Sequence, residues 1–219
     1  MGAGMRAFGA IAMAVALVLS GSAAALAKPK STTQYKYYPV SGDSAVELYI
    51  AMMKRGPHVN GDQAYASTTA TQTLDGRFIR ASNCRLNDIN LSFQFTIRLP
   101  KLSSTKGLSQ TTRDRWQAFS QFLRKHEETH RSIWLACAAD FEKRALAVKA
   151  STCEQADAEI ARLADQARIA CNKKHDAFDA AEQKRVAKHP FVKLVLAPPK
   201  QTAALATQKP TKKKRKSIF

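Results

Sequence analysis

Past its first 27 residues the 219-residue chain has no apolar run approaching a membrane span, which argues against a helical transmembrane protein. Acid is scarce: 17 Asp and Glu stand against 35 Lys and Arg, giving a net charge of +18, and nothing acidic follows Glu182. Cysteine is sparse too, with four in all. None falls just after the leader's apolar stretch, so a lipoprotein anchor is not expected.

What the leader does have is the layout of an export signal. Met1 to Arg6 carries one positive charge, Ala7 to Leu19 is apolar but short and Ala-rich, and Ala25-Leu26-Ala27 is an A-x-A cleavage site. Cleavage is expected after Ala27, residues 1–27 being signal peptide, and the product periplasmic or secreted in a bacterium. The four cysteines, Cys84, Cys137, Cys153 and Cys171, all lie in the mature part and read as up to two disulfides. On one straight helix Cys153 and Cys171 would stand about 27 Å apart, so they cannot pair with each other. Cys84 is expected to join one of the helical cysteines, pinning sheet to hairpin.

The remaining length, about 190 residues, suffices for one domain with a core plus tails. The expected division is a polar leader over 28–34, a domain over 35–185 and a basic tail over 186–219. Lys209, Lys212, Lys213, Lys214, Arg215 and Lys216 crowd the end, which reads as unstructured and attracted to polyanions. Export makes nucleic acid a poor partner and an anionic envelope surface a better one.

In chain order, Tyr35 to Val40 reads as a short strand. Ser44-Ala45-Val46-Glu47 has capping-box spacing and opens a helix over 44–55 with Val46, Tyr49, Ile50 and Met53 as its stripe. Ala64 to Leu74 suits a strand, and Asp75-Gly76 a hairpin turn. Ile89, Leu91, Phe93, Phe95, Ile97 and Leu99 alternate with polar residues up to Pro100, so a long strand with one wet face is expected. Its wet edge is a place where a peptide substrate could align. Asp114 or Thr112 caps the next helix, whose stripe runs Trp116, Phe119, Leu123, His126, His130, Ile133, Cys137 and Phe141. A second capping box at Ser151-Thr152-Cys153-Glu154 starts a third helix ending around Gln183, packed antiparallel on the second.

His126-Glu127-Glu128-Thr129-His130 is the stretch with chemistry in it. Histidines at i and i+4 on one helix face can share one zinc ion, with Glu127 beside them as general base of a metallopeptidase. Glu128 reads as a solvated neighbour. The metzincin continuation would need His where Ala136 stands, so that subclass is excluded. A third ligand is still required, and His175, Asp176, Asp179 and Glu182 are candidates. Asp140 and Glu142 lie at least about 15 Å along the same helix, too far to contribute. With the turn centred near Ala150 and Ser151, hairpin geometry favours His175 or Asp179, the other serving behind the ligands. Two imidazoles and a carboxylate on one stripe would be costly to bury without a metal or other partners.

With those residues in view, the chain resembles a family of bacterial proteins of unknown function described as predicted secreted zinc-dependent proteases. The resemblance rests on Tyr37-Tyr38 with Gly42, Arg55-Gly56-Pro57, Ala64-Tyr65-Ala66-x-Thr68, Cys84 before a strand ending Leu99-Pro100, Trp116 ahead of His126-Glu127-x-x-His130, and Phe178-Asp179. It implies a zincin-like α+β domain, a peptidase activity, and Asp179 as third ligand. After that pair the family pattern has Thr and then His-Gly, where this chain has Glu182-Gln183-Lys184-Arg185.

The expected fold is therefore α+β and zincin-like: a small mixed or antiparallel sheet packed on an active-site helix that forms an antiparallel hairpin with a second long helix. The expected function is zinc-dependent hydrolysis of peptide bonds, with one Zn2+ per chain held by His126, His130 and Asp179 (or His175) and a peptide or protein as substrate. The alternative is a catalytically inactive zincin-like protein that binds the envelope.

Overall fold

Strand pairing starts earlier than the polar run at 28–34 suggests. The computed structural model describes residues 29–59 and 61–197, and in chain order its elements are β1 (Lys30–Val40), α1 (Ala45–Arg55), β2 (His58–Val59), β3 (Asp62–Gln63), β4 (Ser67–Arg80), β5 (Cys84–Leu102), α2 (Gln110–Leu146), β6 (Lys149–Ala150), α3 (Cys153–Lys188) and α4 (Pro190–Leu196). The expected leader is thus the first half of a strand. Lys30 to Gln34 pair with Ser92 to Thr96, and Ser31, Thr33 and Tyr35 are half-buried while the residues between them face water. The expected cleavage after Ala27 and the basic cluster from Lys209 lie outside the described residues.

The chain is a mixed α+β protein. Its sheet has the order β1-β5-β4, with β1 parallel and β4 antiparallel to β5, and β6 adding two pairs at the start of β5. The alternation of β5 decides which face the helices cover: Leu91, Phe93, Phe95, Ile97 and Leu99 are all buried, and the polar residues between them are not. From Ser92 to Arg98 β5 is paired on both edges and offers none to a peptide, which corrects the expectation drawn from its wet face. Among the described residues the free edges belong to β1 and β4.

Several boundaries moved because pairing and packing overrode local signals. Asp75-Gly76 is not a turn: both residues lie within β4, opposite Asn90 and Ile89, and the chain reverses at 81–83 instead. Helix α1 is capped by Ser44, whose hydroxyl accepts from Glu47 N–H, but it buries Ala45, Leu48 and Met52, leaving Val46 and Ile50 nearly half exposed. Ser109, not Thr112 or Asp114, caps α2, and Thr112 Oγ1 lies 2.9 Å from its hydroxyl. Helix α2 stops at Leu146, Thr152 caps α3, and α3 continues past Gln183 to Lys188.

The expected domain end at 185 falls inside α3, and the next segment is core. Phe191 in α4 is fully buried, its ring 5.4 Å from Trp116 and 5.1 Å from Phe119. Its apolar run had been masked by the surrounding lysines. Phe191→Ala should destabilise the protein by about 3–5 kcal/mol in urea unfolding, since the ring leaves a cavity no neighbour can fill. An effect below about 1 kcal/mol would place 186–197 outside the folding unit.

Two disulfides complete the frame. Cys84 joins Cys153, tying the start of β5 to the start of α3, and Cys137 joins Cys171 across the α2–α3 hairpin. This is a pairing the helix geometry allowed. The two bonds, with no helix among the described residues long and apolar enough to cross a membrane, fit an exported protein. Removing Cys137–Cys171 by a double Ser substitution releases a 34-residue loop closure, worth about 4 kcal/mol on chain-entropy grounds. Calorimetry of the two proteins checks this, and equal melting temperatures would contradict it.

Two apolar clusters fill the interior. One gathers α1, α4 and the first third of α2 under the end of β5, with Leu48, Met52, Phe119, Leu123 and Phe191 at its centre. The other joins Leu91, Phe93 and Phe95 to Ala138, Phe141, Ile160 and Leu163. His126 and His130 lie on α2 in the gap between them.

Candidate metal centre

The seam between the two clusters is filled by polar groups. Helix α2 presents His126 and His130 one turn apart, and α3, running back antiparallel, brings Asp179 opposite them. His126 Nε2 and His130 Nε2 are 3.1 Å apart, and Asp179 Oδ1 is 3.3 Å from the first and 2.9 Å from the second. Ligand bonds of 2.0–2.1 Å to a tetrahedral ion imply ligand–ligand edges of about 3.3 Å, so the triangle is a near-complete face of such a tetrahedron. A cation seated on this face would have its fourth position toward the open side, where Asp179 is half exposed. Among the described residues these three are a group whose ligand atoms converge in this way.

The two imidazoles differ in what stands behind them. His130 Nδ1 lies 2.8 Å from His175 Nδ1, and the two rings stack with centroids 5.0 Å apart. His175 therefore stands behind His130 and does not join the ligand triangle. His126 Nδ1 is buried without a hydrogen-bond partner, and the nearest carboxylate is Glu182 Oε2 at 3.9 Å. Glu182 is itself buried, and Arg185 Nη1 donates to its other oxygen at 2.5 Å. With Nδ1–H on both histidines, His130 donates to His175, the His126 donor is left without a partner, and the two Nε2 lone pairs converge. Burial lowers the pKa of His126 and His130 against the opposing pull of Asp179, which favours the neutral ring, the form able to bind a cation. Phe178 walls the site, its centroid 4.8 Å from His126 and 5.1 Å from His130.

Glu127 points to the sheet. It is 4 % exposed, and the Thr68 hydroxyl on β4 lies 2.8 Å from its Oε2, a donor for that carboxylate oxygen. Desolvation pushes its carboxyl up to about 7, Thr68 pulls it down, and the nearby charge of Asp179 pushes it up further. A carboxyl poised near neutrality can both take and give a proton. Glu128 is not a free surface group: it accepts from Tyr35 Oη at 2.7 Å and Arg124 Nε at 2.9 Å, stapling β1 to α2.

The remaining candidates lie apart. Asp176 is exposed, and Glu142, further along α2, is buried and accepts from Leu91 N–H at 3.1 Å. Thr68 carries no local signal for its contact, made 59 residues away in sequence. Glu182 sits two turns after His175 on the face that carries Asp179, a spacing that could have put it behind the histidines.

The segment holding these parts is also what the comparisons recognise: a family described as "Bacterial protein of unknown function (DUF922)" matches residues 35–187. The chain belongs to this family. The match covers β4, α2, all of α3 but its last residue and every residue of the candidate centre, and it stops short of α4. No curated protein and no solved structure matches the chain.

Proposed function

We propose that this DUF922 chain is an exported, zinc-dependent peptidase with a zincin-like catalytic helix. The observation that carries the reading is the triangle of His126 Nε2, His130 Nε2 and Asp179 Oδ1, with edges of 2.9–3.3 Å, next to a buried Glu127. Those three atoms would hold one Zn2+. The ion, when bound, would supply an acidified water and a Lewis acid for the scissile carbonyl.

The chain's own groups do the rest. Glu127 has one oxygen engaged by Thr68, which fixes the plane of the carboxylate and leaves Oε1 to take the proton of the attacking water. The same oxygen then delivers that proton to the departing amine, so the carboxylate is restored at the end of the cycle. His175 keeps the proton of His130 on Nδ1, while the Glu182 carboxylate, 3.9 Å from His126 Nδ1 and not hydrogen-bonded to it, favours a proton there only through its charge. Phe178 packs against both imidazoles and apolar clusters lie on either side of them, a setting of low polarity that strengthens these interactions. The basic residues beyond Lys209 would draw the enzyme to acidic envelope polymers.

The test uses mature protein and reduced, alkylated casein. Cleavage should appear with one equivalent of zinc, vanish with 1,10-phenanthroline and return on adding zinc back. Zinc uptake without cleavage of any unfolded protein would instead leave the silent, envelope-binding version of the same shell.

A further inference from the structure

Between β4 and the hairpin, beyond the candidate centre, runs an open groove of about 470 Å³ that the mechanism above does not use. Its walls are apolar: Leu74, Phe93, Trp134, Phe141, Ala164 and Ala167. It is open because α3 stands away from β4, whose residues 69–78 are all exposed although Gln72 and Leu74 face the helices. Leu74 keeps 47 % of its surface in water with Leu91 and Phe93 beneath it. Apolar surface in a concave trough of this size, within the about 300–1,000 Å³ of ligand sites, is unpartnered surface awaiting an apolar group.

Two observations say what that group belongs to. The groove adjoins the candidate centre: Trp134 lines it and also packs, tilted, against His175 with ring centroids 4.5 Å apart, and His175 in turn touches His130. Its other wall is the helix-facing side of β4, which is an edge strand, and a free edge accepts an extended polypeptide through main-chain hydrogen bonds. Resting on the peptidase reading, we infer that this groove is a distal specificity subsite, which takes an apolar side chain of an extended substrate several residues from the scissile bond.

The strand sets the distance. Thr68, at Glu127, marks where the bond to be cut must lie, and Leu74 is six residues on along the same strand, about 20 Å at a rise of 3.3 Å per residue. A substrate paired with β4 advances at the same rise, so the anchored side chain sits four to six residues from the cut. It does so on one side only, because β4 begins at Ser67 and has no pairing residues in the other direction. The substrate class is therefore long unfolded polypeptide with an asymmetric apolar requirement, not dipeptides or short acyl amides. Asp165 and Arg168 at the rim balance each other and impose no charge preference.

The experiment uses zinc-loaded mature protein and 14-residue fluorogenic peptides built around a bond it cuts in casein, with Leu or Ser placed four to six residues from the cut on either side. Leu on one side should raise kcat/KM about tenfold or more over Ser, with no gain from Leu on the other side. Leu74→Lys, at a position exposed enough to tolerate it, should abolish that preference while zinc content and Tm stay at the wild-type values; Leu74→Ile should keep it. Equal kcat/KM for all peptides, or a preference that survives Leu74→Lys, overturns the subsite. If casein is not cut at all, the peptidase reading falls on its own, and the groove is then tested by anisotropy of a labelled Leu-rich casein fragment on zinc-loaded protein. Binding lost in Leu74→Lys would keep the groove as a polypeptide site, and absence of binding would end it.

Discussion

Glu127→Gln should lower kcat on casein by about 10²–10⁴-fold, the contribution expected of a general base, while zinc content and Tm remain at wild-type values. Glutamine is isosteric and still accepts the Thr68 hydrogen bond through its carbonyl oxygen, so the contact between α2 and β4 survives. The substitution also removes a carboxyl that burial already pushes toward its neutral form, so folding gains or loses little. What is lost is the ability to accept a proton from water and return it to the amine. KM should move little, because Glu127 acts on the attacking water and the substrate is held elsewhere. Wild-type turnover in this variant would show that water is activated by another group and that the proposed mechanism is wrong.

Zinc should also act as a folding ligand. Bound to the native triangle and absent from the unfolded chain, it stabilises by RT ln(1 + [Zn]/Kd), about 4 kcal/mol when zinc is present at a thousand times Kd. For a protein of this size that corresponds to a rise in Tm of about 8–16 °C over the chelated form. Asp179→Ala should remove most of that rise, because it leaves two histidines to hold the ion from one side only. His175→Ala should remove less: it deletes the group that orients His130 without removing a bond, and such groups typically cost 10–100-fold in metal affinity. Comparable losses in the two variants would mean that His175, not Asp179, belongs among the ligands. Differential scanning calorimetry with and without chelator separates these cases.

Helix faces were more legible in the sequence than the boundaries of the elements around them. The alternation from Ile89 to Leu99 and the stripe of Trp116, Phe119 and Leu123 survive intact in the structure because burial on one face leaves a direct periodic trace. The histidine spacing did the same, and a hairpin of two long helices was enough to bring His175 and Asp179 opposite. Choosing between those two depended on where the hairpin turns. The contacts centre it at Thr152 and Cys153, two residues past the expected Ala150–Ser151, since His130 meets His175 and His126 meets Asp179. Contacts with no periodic signature stayed hidden. Thr68 meets Glu127 only through the register of β4 on β5, and α1 has two apolar stripes of which tertiary packing buried the less obvious, Leu48 and Met52. Helix α4 was missed because its lysine-rich flanks set the composition of the segment while Phe191 and Val192 set its fate.

The most direct test is anomalous diffraction at the zinc edge from crystals of the mature protein grown with zinc. A single peak about 2.0–2.2 Å from His126 Nε2, His130 Nε2 and Asp179 Oδ1 is the expected result. No peak at zinc excess, or one bonded to His175 in place of Asp179, would contradict the proposed centre.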